Sequence, residues 1–352
     1  MDYLQHTFEK YPFCSLQAAT FHPDGTSSGK AEHHLIFRLK EQPPNCLTAL
    51  RACIQDGLAQ EPYKKAACVF ARYFLQNAVE QRPQIHATRL FPGPCVLSFI
   101  EQPPANGTPL AVWLYLQEPG IFDQPVKMLR TTEKFHLGGN AAQQTKQLLT
   151  DYGQWLQAKG LSVKDNMVST CFYLNDIDEQ YAVFAKTYAD YLQANGIEPP
   201  HYYMTGNATE GSNGAPGSCV TLDACAVAGL EASRIQRLDH GRGVSLSLKD
   251  RKHVYVHGVA GVDEKGLLEE PHNLRAQTFR MWGNAEAALG QAKATWQDVI
   301  SIIVYVRNKE DYSLVKGFFL SRFPNIPCII LAGKPCHPTW LIAMECMAIC
   351  RI

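Results

Sequence analysis

The sequence predicts an α+β protein made of three consecutive ββαβαββ units, mixed sheets with helices on their outer side. The main observation is an internal repeat. Ala66–Gln81, Val168–Phe184 and Val299–Val315 each read as an apolar strand, a polar turn and a helix. The first two align without a gap, Tyr73 with Phe172, Leu75 with Leu174, Asn77 with Asp176 and Glu80 with Glu179; in the third, Tyr305 matches Tyr173 and Asn308 matches Asp176. The second observation is that strands also repeat on either side of this segment. The third is length: 352 residues accommodate three units of roughly 115 residues. The expected boundaries are 1–125, 126–232 and 233–352. A lone helix–sheet layer leaves one sheet face open, and three in one chain can cover one another.

In the first unit Ser15–Phe21 and His33–Leu39 alternate as strands, and Cys46–Leu58 has helical spacing. The repeated strand follows. Its helix is expected to be short or absent, because Arg82-Pro83 interrupts it. Cys95–Glu101 and Leu110–Leu116 then read as a hairpin around Asn106-Gly107. In the second unit Lys127–Leu137 is the one candidate for the opening strand pair. Helices are expected over Ala141–Lys159 and Ile177–Asn195, the latter with a core stripe of Ile177, Tyr181, Phe184, Tyr188 and Tyr191. In the third unit Gly243–Lys249 and His253–Gly258 form a strand pair. A helix follows with Leu274, Thr278, Met281, Ala285 and Ala288 on one face, then a strand ending at Val306 and a helix around Tyr312, Val315 and Phe319.

The tail, Ile326 to Ile352, reads as a closing hairpin with a long loop. In its second strand Ile342, Met344, Cys346, Ala348 and Cys350 share one face, and Ala343, Glu345, Met347 and Ile349 share the other. Glu345 is thus a carboxylate in an apolar row. It needs a partner there, or it takes up a proton.

Apolar residues make up 46% of the chain and charged residues 19%, which gives a globular chain with ample core. Lys+Arg and Asp+Glu balance at 33 each, and basic runs are missing, so neither nucleic acid nor an anionic membrane is an expected partner. The N-terminus has the features of neither a signal nor a transit peptide, and no apolar run reaches membrane-spanning length. The twelve cysteines have no close repeated spacing and many lie in apolar strands, as expected of buried thiols in a reducing cytoplasm. Without a CxxC pair or an HExxH motif, no metal is expected, and no cofactor.

The third unit resembles the Rid (YjgF, L-PSP endoribonuclease-like) superfamily over nearly its whole length. The residues that carry the resemblance are VYVHGVAGV (Val254–Val262), VYVRNKEDY (Val304–Tyr312) and IAMECMAI (Ile342–Ile349). MTGNATEGS (Met204–Ser212) and CHPTWLIAMEC (Cys336–Cys346) also resemble the chorismatase-like branch. Such proteins typically assemble as trimers with ligand clefts between subunits. The resemblance therefore implies an intramolecular pseudo-trimer, its sheets forming a β-barrel with helices outside, and a chain that works as a monomer or weak homo-oligomer.

The resemblance places a cleft carboxylate at Glu345 and its counterpart at Asp223, while AVWLYLQ in the first unit has no acid. Cys328 matches a pocket cysteine, and His257 stands where a serine is common. The family's substrate-gripping arginine is replaced by Ile326 and Pro327. In the chorismatase-like pattern, His337 and Ala343 stand where an arginine and an acid are expected. Arg242, Lys334 and His201 are possible replacements, and Thr205, Glu210 and Ser212 are expected near a cleft. The implied activity is hydrolysis of an imine, enamine or enol-ether, including release of pyruvate from chorismate. The alternative is a ligand-binding protein that has lost the chemistry.

Overall fold

The computed structural model describes residues 1–23, 30–91, 93–122, 125–197, 206–238 and 243–352. The first sheet draws on β1 (Asp2–Phe8), β2 (Tyr11–Phe21), β3 (Glu32–Leu39), β4 (Ala67–Leu75), β5 (Val96–Glu101) and β6 (Leu110–Gln117), with helices α1 (Cys46–Leu58) and α2 (Ala78–Thr88). The second contains β7 (Lys127–Phe135), β8 (Met167–Leu174), β9 (Gly206–Glu210) and β10 (Val220–Ala228), with α3 (Ala141–Gln157), the single turn α4 (Val163–Asn166) and α5 (Ile177–Ala194). The third contains β11 (Ile235–Leu238), β12 (Gly243–Ser247), β13 (Arg251–Ala260), β14 (Val299–Val306), β15 (Cys328–Ala332) and β16 (Ile342–Arg351), with α6 (Leu274–Gln291) and α7 (Tyr312–Arg322).

The strand orders are β1-β2-β3-β6-β4-β5, β7-β10-β8-β9 and β11-β12-β13-β16-β14-β15. In each sheet a strand–helix–strand crossover gives a parallel pair: β4 with β5, β8 with β9, β14 with β15. The next strand then returns on the far side of the first member of that pair. The two expected hairpins are therefore not hairpins. β4 lies between β5 and β6, and β14 lies between β15 and β16. The Asn106-Gly107 turn does form, with Gly107 at φ 84° and Asn106 Oδ1 accepting from the Thr108 amide at 3.2 Å, but it joins strands that are not neighbours.

Helix α2 contains Pro83 and runs for 11 residues, as long as α7. Asn77 caps it by accepting from the Glu80 amide at 3.1 Å, which compensates in part for the backbone bond that Pro83 cannot make. The strand pair opening the second sheet is reduced to β7 alone. None of the three sheets closes into a barrel, contrary to the expected β-barrel. Among the described residues, the strand-type pairings between sheets are single bridges, at Glu101–Ser212, Pro104–Leu331 and Thr209–Pro335. No helix among the described residues is long and apolar enough to cross a membrane.

Each sheet buries one face under its own helices. The other faces pack on one another: Ala19, Val168, Cys225, Val244, Ile300 and Met347 meet in one apolar cluster drawn from all three sheets. The period-2 pattern of the last strand is realised as expected. Ile342, Met344, Cys346 and Ala348 lie in the helix-covered core, while Met347 and Ile349 face the seam between sheets.

The interior also buries His33, on the helix-covered face against Tyr63, and His34, in the seam against Ser301. Burial holds His33 down at about 4 and His34 at about 3. The unfolded chain protonates these residues near their ordinary value of about 6.5, so between these limits it binds more protons than the native state. Stability is lost as pH falls through this window. Acidification from about pH 7 to about pH 5.5 is expected to cost roughly 1 kcal/mol from each histidine. Urea unfolding at the two pH values, compared with His34→Asn, checks this; equal pH slopes in both proteins would contradict it.

Candidate active site

β16 presents Glu345 to the seam, where it is 6% exposed. Opposite it, the β13–β16 ladder slips between Val256 and Val259. This bulge re-aims a side chain, and Gly258 provides the left-handed turn it requires, at φ 60°. His257 is thereby brought to Glu345, with Nδ1 3.0 Å from Oε2. Tyr305 on β14 donates to Oε1 at 2.9 Å.

Another partner comes from the first sheet. Arg72 on β4 reaches Glu345 Oε1 at 3.4 Å with Nη1 and Asp223 Oδ2 at 3.3 Å with Nη2. Its guanidinium sits 5.5–5.8 Å from the ring centroids of Phe70, Trp113 and Tyr173. Asp223 also accepts from Ser98 Oγ at 2.6 Å and from the Glu133 amide at 2.8 Å. The three ladders put these residues at corresponding positions. Ile303 faces Glu345, Cys171 faces Asp223 and Arg72 faces Trp113. At the position of the acid the first sheet has Trp113, and at the position of Cys171 and Ile303 it has the cation.

Burial pushes the Glu345 carboxyl up, but His257, Arg72 and Tyr305 outweigh it and hold the group below its ordinary range. Glu345 is thus an anion. At Asp223 burial prevails over Arg72 and Ser98, and the carboxyl lies above its ordinary value.

A cleft of about 320 Å³ opens between the second and third sheets. Phe172, Tyr181, Phe184 and Tyr188 form its aromatic wall, so the α5 stripe read as core also faces the cleft. His257, Lys265, His337 and Trp340 line the opposite side. A smaller internal cavity, about 50 Å³, is lined by Arg72, Arg130, Cys171, His257 and Glu345. His257 borders both spaces and its Nε2 has no hydrogen-bond partner. Ligand atoms of Cys171, His257 and Glu345 lie within 4.8 Å of one another and form a possible metal-binding set. Arg72 and Arg130 border the same space and place two guanidinium charges against a cation there.

The seam between the first and second sheets is built differently. The β7–β10 ladder slips opposite Asp223, and Glu133 in this slip is at φ 53°, as Gly258 is in the third sheet at φ 60°. Here Arg82 from α2 pairs with Glu133, and Thr132, at the position of His257, donates to Leu97 O at 2.6 Å.

Cys328 is not brought to Glu345. It pairs with Ile302 on β14, and both belong to the helix-covered side of the sheet. His337 lines the cleft and stacks on Trp340 at 5.9 Å. Glu210 is held by Lys334 at 2.7 Å, and Lys334 also approaches Asp178 at 3.6 Å. These groups tie the second sheet to the third and leave Lys334 engaged. Ser212 takes part through its backbone, accepting from the Glu101 amide at 2.8 Å. Arg242, Thr205 and His201 lie outside the described residues.

Reading the sequence missed Arg72, Tyr305, Cys171, Lys265 and Arg307. Arg72 had a signal, a lone charge within ACVFARYFL, of the kind that flagged Glu345. Arg307 holds the loop at the cleft mouth. Its Nε donates to Trp340 O at 2.9 Å, its Nη2 to Pro335 O at 3.0 Å and to His337 O at 2.7 Å, and its Nη1 to both oxygens of Asp178 at 2.9 and 3.0 Å. Arg307→Ala is expected to cost about 2 kcal/mol, since charge-assisted bonds are lost at a partly exposed site. Amide exchange should quicken over residues 335–340 before it does elsewhere. Urea unfolding and mass-resolved exchange measure the two effects.

Residues 238–350 match the family model for endoribonuclease L-PSP. A search of curated proteins finds no match. Among solved structures, a chorismatase superposes with a TM-score of 0.62 at 15% identity, covering 92% of this chain and 100% of its own. That likeness shows the fold. A Rid-family protein from Yersinia pestis matches at 20% identity and a TM-score of 0.25, over 30% of this chain and 83% of its own. A YjgF-family protein from Neisseria meningitidis matches at 14% identity and a TM-score of 0.26, over 31% of this chain and 86% of its own.

Proposed function

We propose that this chain, whose residues 238–350 form a unit of the endoribonuclease L-PSP family, is a cytoplasmic small-molecule hydrolase. Its substrate is an imine, enamine or enol-ether, bound in the cleft between the second and third sheets. The observation that carries this reading is the His257–Glu345 pair at the cleft wall, with Nδ1 held at 3.0 Å and Nε2 buried without a partner, so that substrate must displace neighbouring atoms to reach it. Glu345, kept anionic, fixes the orientation and tautomer of the ring. His257 then gives a proton to the electron-rich substrate carbon. The neutral imidazole takes one back from the water that attacks the resulting cationic carbon. Collapse of the adduct releases ammonia from an enamine, or an alcohol and a carbonyl product from an enol ether. Glu345 itself borders only the inner cavity, so it acts through His257 and does not protonate substrate directly.

The aromatic wall suits an unsaturated substrate, and Lys265, which lines the cleft beside Asp263 and Glu264, is the cation available to a substrate carboxylate in place of the missing family arginine. The chorismatase fold supports a pyruvate-releasing variant of this chemistry. The three sheets stand in for three subunits of an intramolecular pseudo-trimer, so the working form is one chain. Sedimentation should give a single-chain mass; a trimer of full chains would contradict it.

A second reading is a non-catalytic small-molecule-binding protein, favoured by the engagement of Glu345 by Arg72 and by Ile326 and Pro327 where the family arginine is expected. Incubation with chorismate, and separately with 2-aminoacrylate generated in situ, distinguishes the two. Release of pyruvate that His257→Asn abolishes supports the hydrolase. No turnover of either compound leaves the binding protein.

A further inference from the structure

We propose that Cys68 and Cys95 form an oxidisable dithiol that closes to a disulfide on reaction with a hydroperoxide. Their sulfurs are 3.5 Å apart. Cys68 lies on β4, and Cys95 immediately precedes β5, its parallel neighbour, where Phe70 pairs with Val96. A disulfide needs its sulfurs at about 2 Å, and Cys95 stands outside the ladder, where the backbone has room to supply the approach.

The two thiols are unequally placed for reaction. Cys68 is buried, and burial lifts its thiol well above the ordinary value. Cys95 is half-buried and lines a surface depression of about 90 Å³ together with His86 and Arg89. Reagent therefore meets Cys95 first. The Cys95 thiolate attacks the peroxide and becomes a sulfenic acid, releasing one alcohol or water. The Cys68 thiol then displaces hydroxide from that sulfur, and its proton leaves with the hydroxide as water. Two thiols are oxidised by two electrons and one peroxide bond is reduced.

The contrast with a second pair supports the assignment. Cys14 and Cys53 also interact, but both are wholly buried, and no surface brings oxidant to them. The bridge would also have a structural consequence. β4 carries Arg72 and β5 carries Ser98, both donors to Asp223, so linking the two strands would tie down one side of the seam.

The test is to treat the folded protein with a few equivalents of hydrogen peroxide, block free thiols and digest without reductant. The expected product joins the tryptic peptide 66–72 to the peptide 90–127, with two of the twelve thiols lost. Cys68→Ser should instead leave Cys95 as a sulfenic acid that dimedone traps, and Cys95→Ser should protect Cys68. Cys14 and Cys53 should remain free until the protein is unfolded. If the two wild-type peptides stay separate, whether Cys95 is untouched or over-oxidised, the proposal is wrong.

Discussion

Replacing Arg72 by methionine is expected to destabilise the protein by about 3–5 kcal/mol, the usual cost of removing one partner from a buried ion pair. The guanidinium is the cationic partner of two carboxylates that are 4% and 6% exposed, and the substitution leaves both charges in an apolar seam. The loss of favourable packing is small, because methionine fills much of the space among Phe70, Trp113 and Tyr173. The penalty therefore comes from uncompensated charge. Neutralising the acids as well, in Arg72→Met/Asp223→Asn/Glu345→Gln, should recover most of the stability. Urea unfolding of the single and triple variants separates the two causes. A triple variant as unstable as the single would show that the guanidinium packs and does not pair.

Replacing His257 by asparagine is expected to lower kcat by about 10²–10⁴-fold, the range for loss of a general acid–base group. Asparagine keeps a polar group near Glu345 and leaves the aromatic wall intact, so KM should move little. Glu345→Gln should lower kcat by a smaller factor, since His257 stays but loses the anion that orients its ring. Steady-state kinetics on whichever substrate is turned over, with unfolding curves as a control, gives the order. An Asn variant of His257 with full kcat would move the chemistry away from this side chain. A Gln variant of Glu345 that is inactive because it does not fold would be recognised by its circular dichroism.

Much of this site was legible because strands alternate. Within IAMECMAIC one charge at an apolar position identifies Glu345, and the same logic applied to ACVFARYFL finds Arg72. What failed was pairing. Two strands consecutive in sequence were read as hairpins, but the parallel crossover placed β4 and β14 between them. Local turn chemistry at Asn106-Gly107 and Gly333 specifies a reversal of the chain and does not specify which strand lies alongside. The places of Cys328 and Glu210 were not legible for a related reason. Resemblance matched them by position along the chain, whereas the face of β15 and the reach of Lys334 decide where they point.

Apolar periodicity, which acts over a few residues, was enough to read most of the strands, the helices that cover them and the inward direction of Glu345. Only the tertiary structure decided that Arg72 from the first sheet meets acids from the second and third, and that His257 stands between Glu345 and an open cleft. Those contacts join residues 273 and 88 positions apart. The first is set by how three sheet faces pack and the second by the pairing of β13 with β16 and its bulge, and no local pattern encodes either.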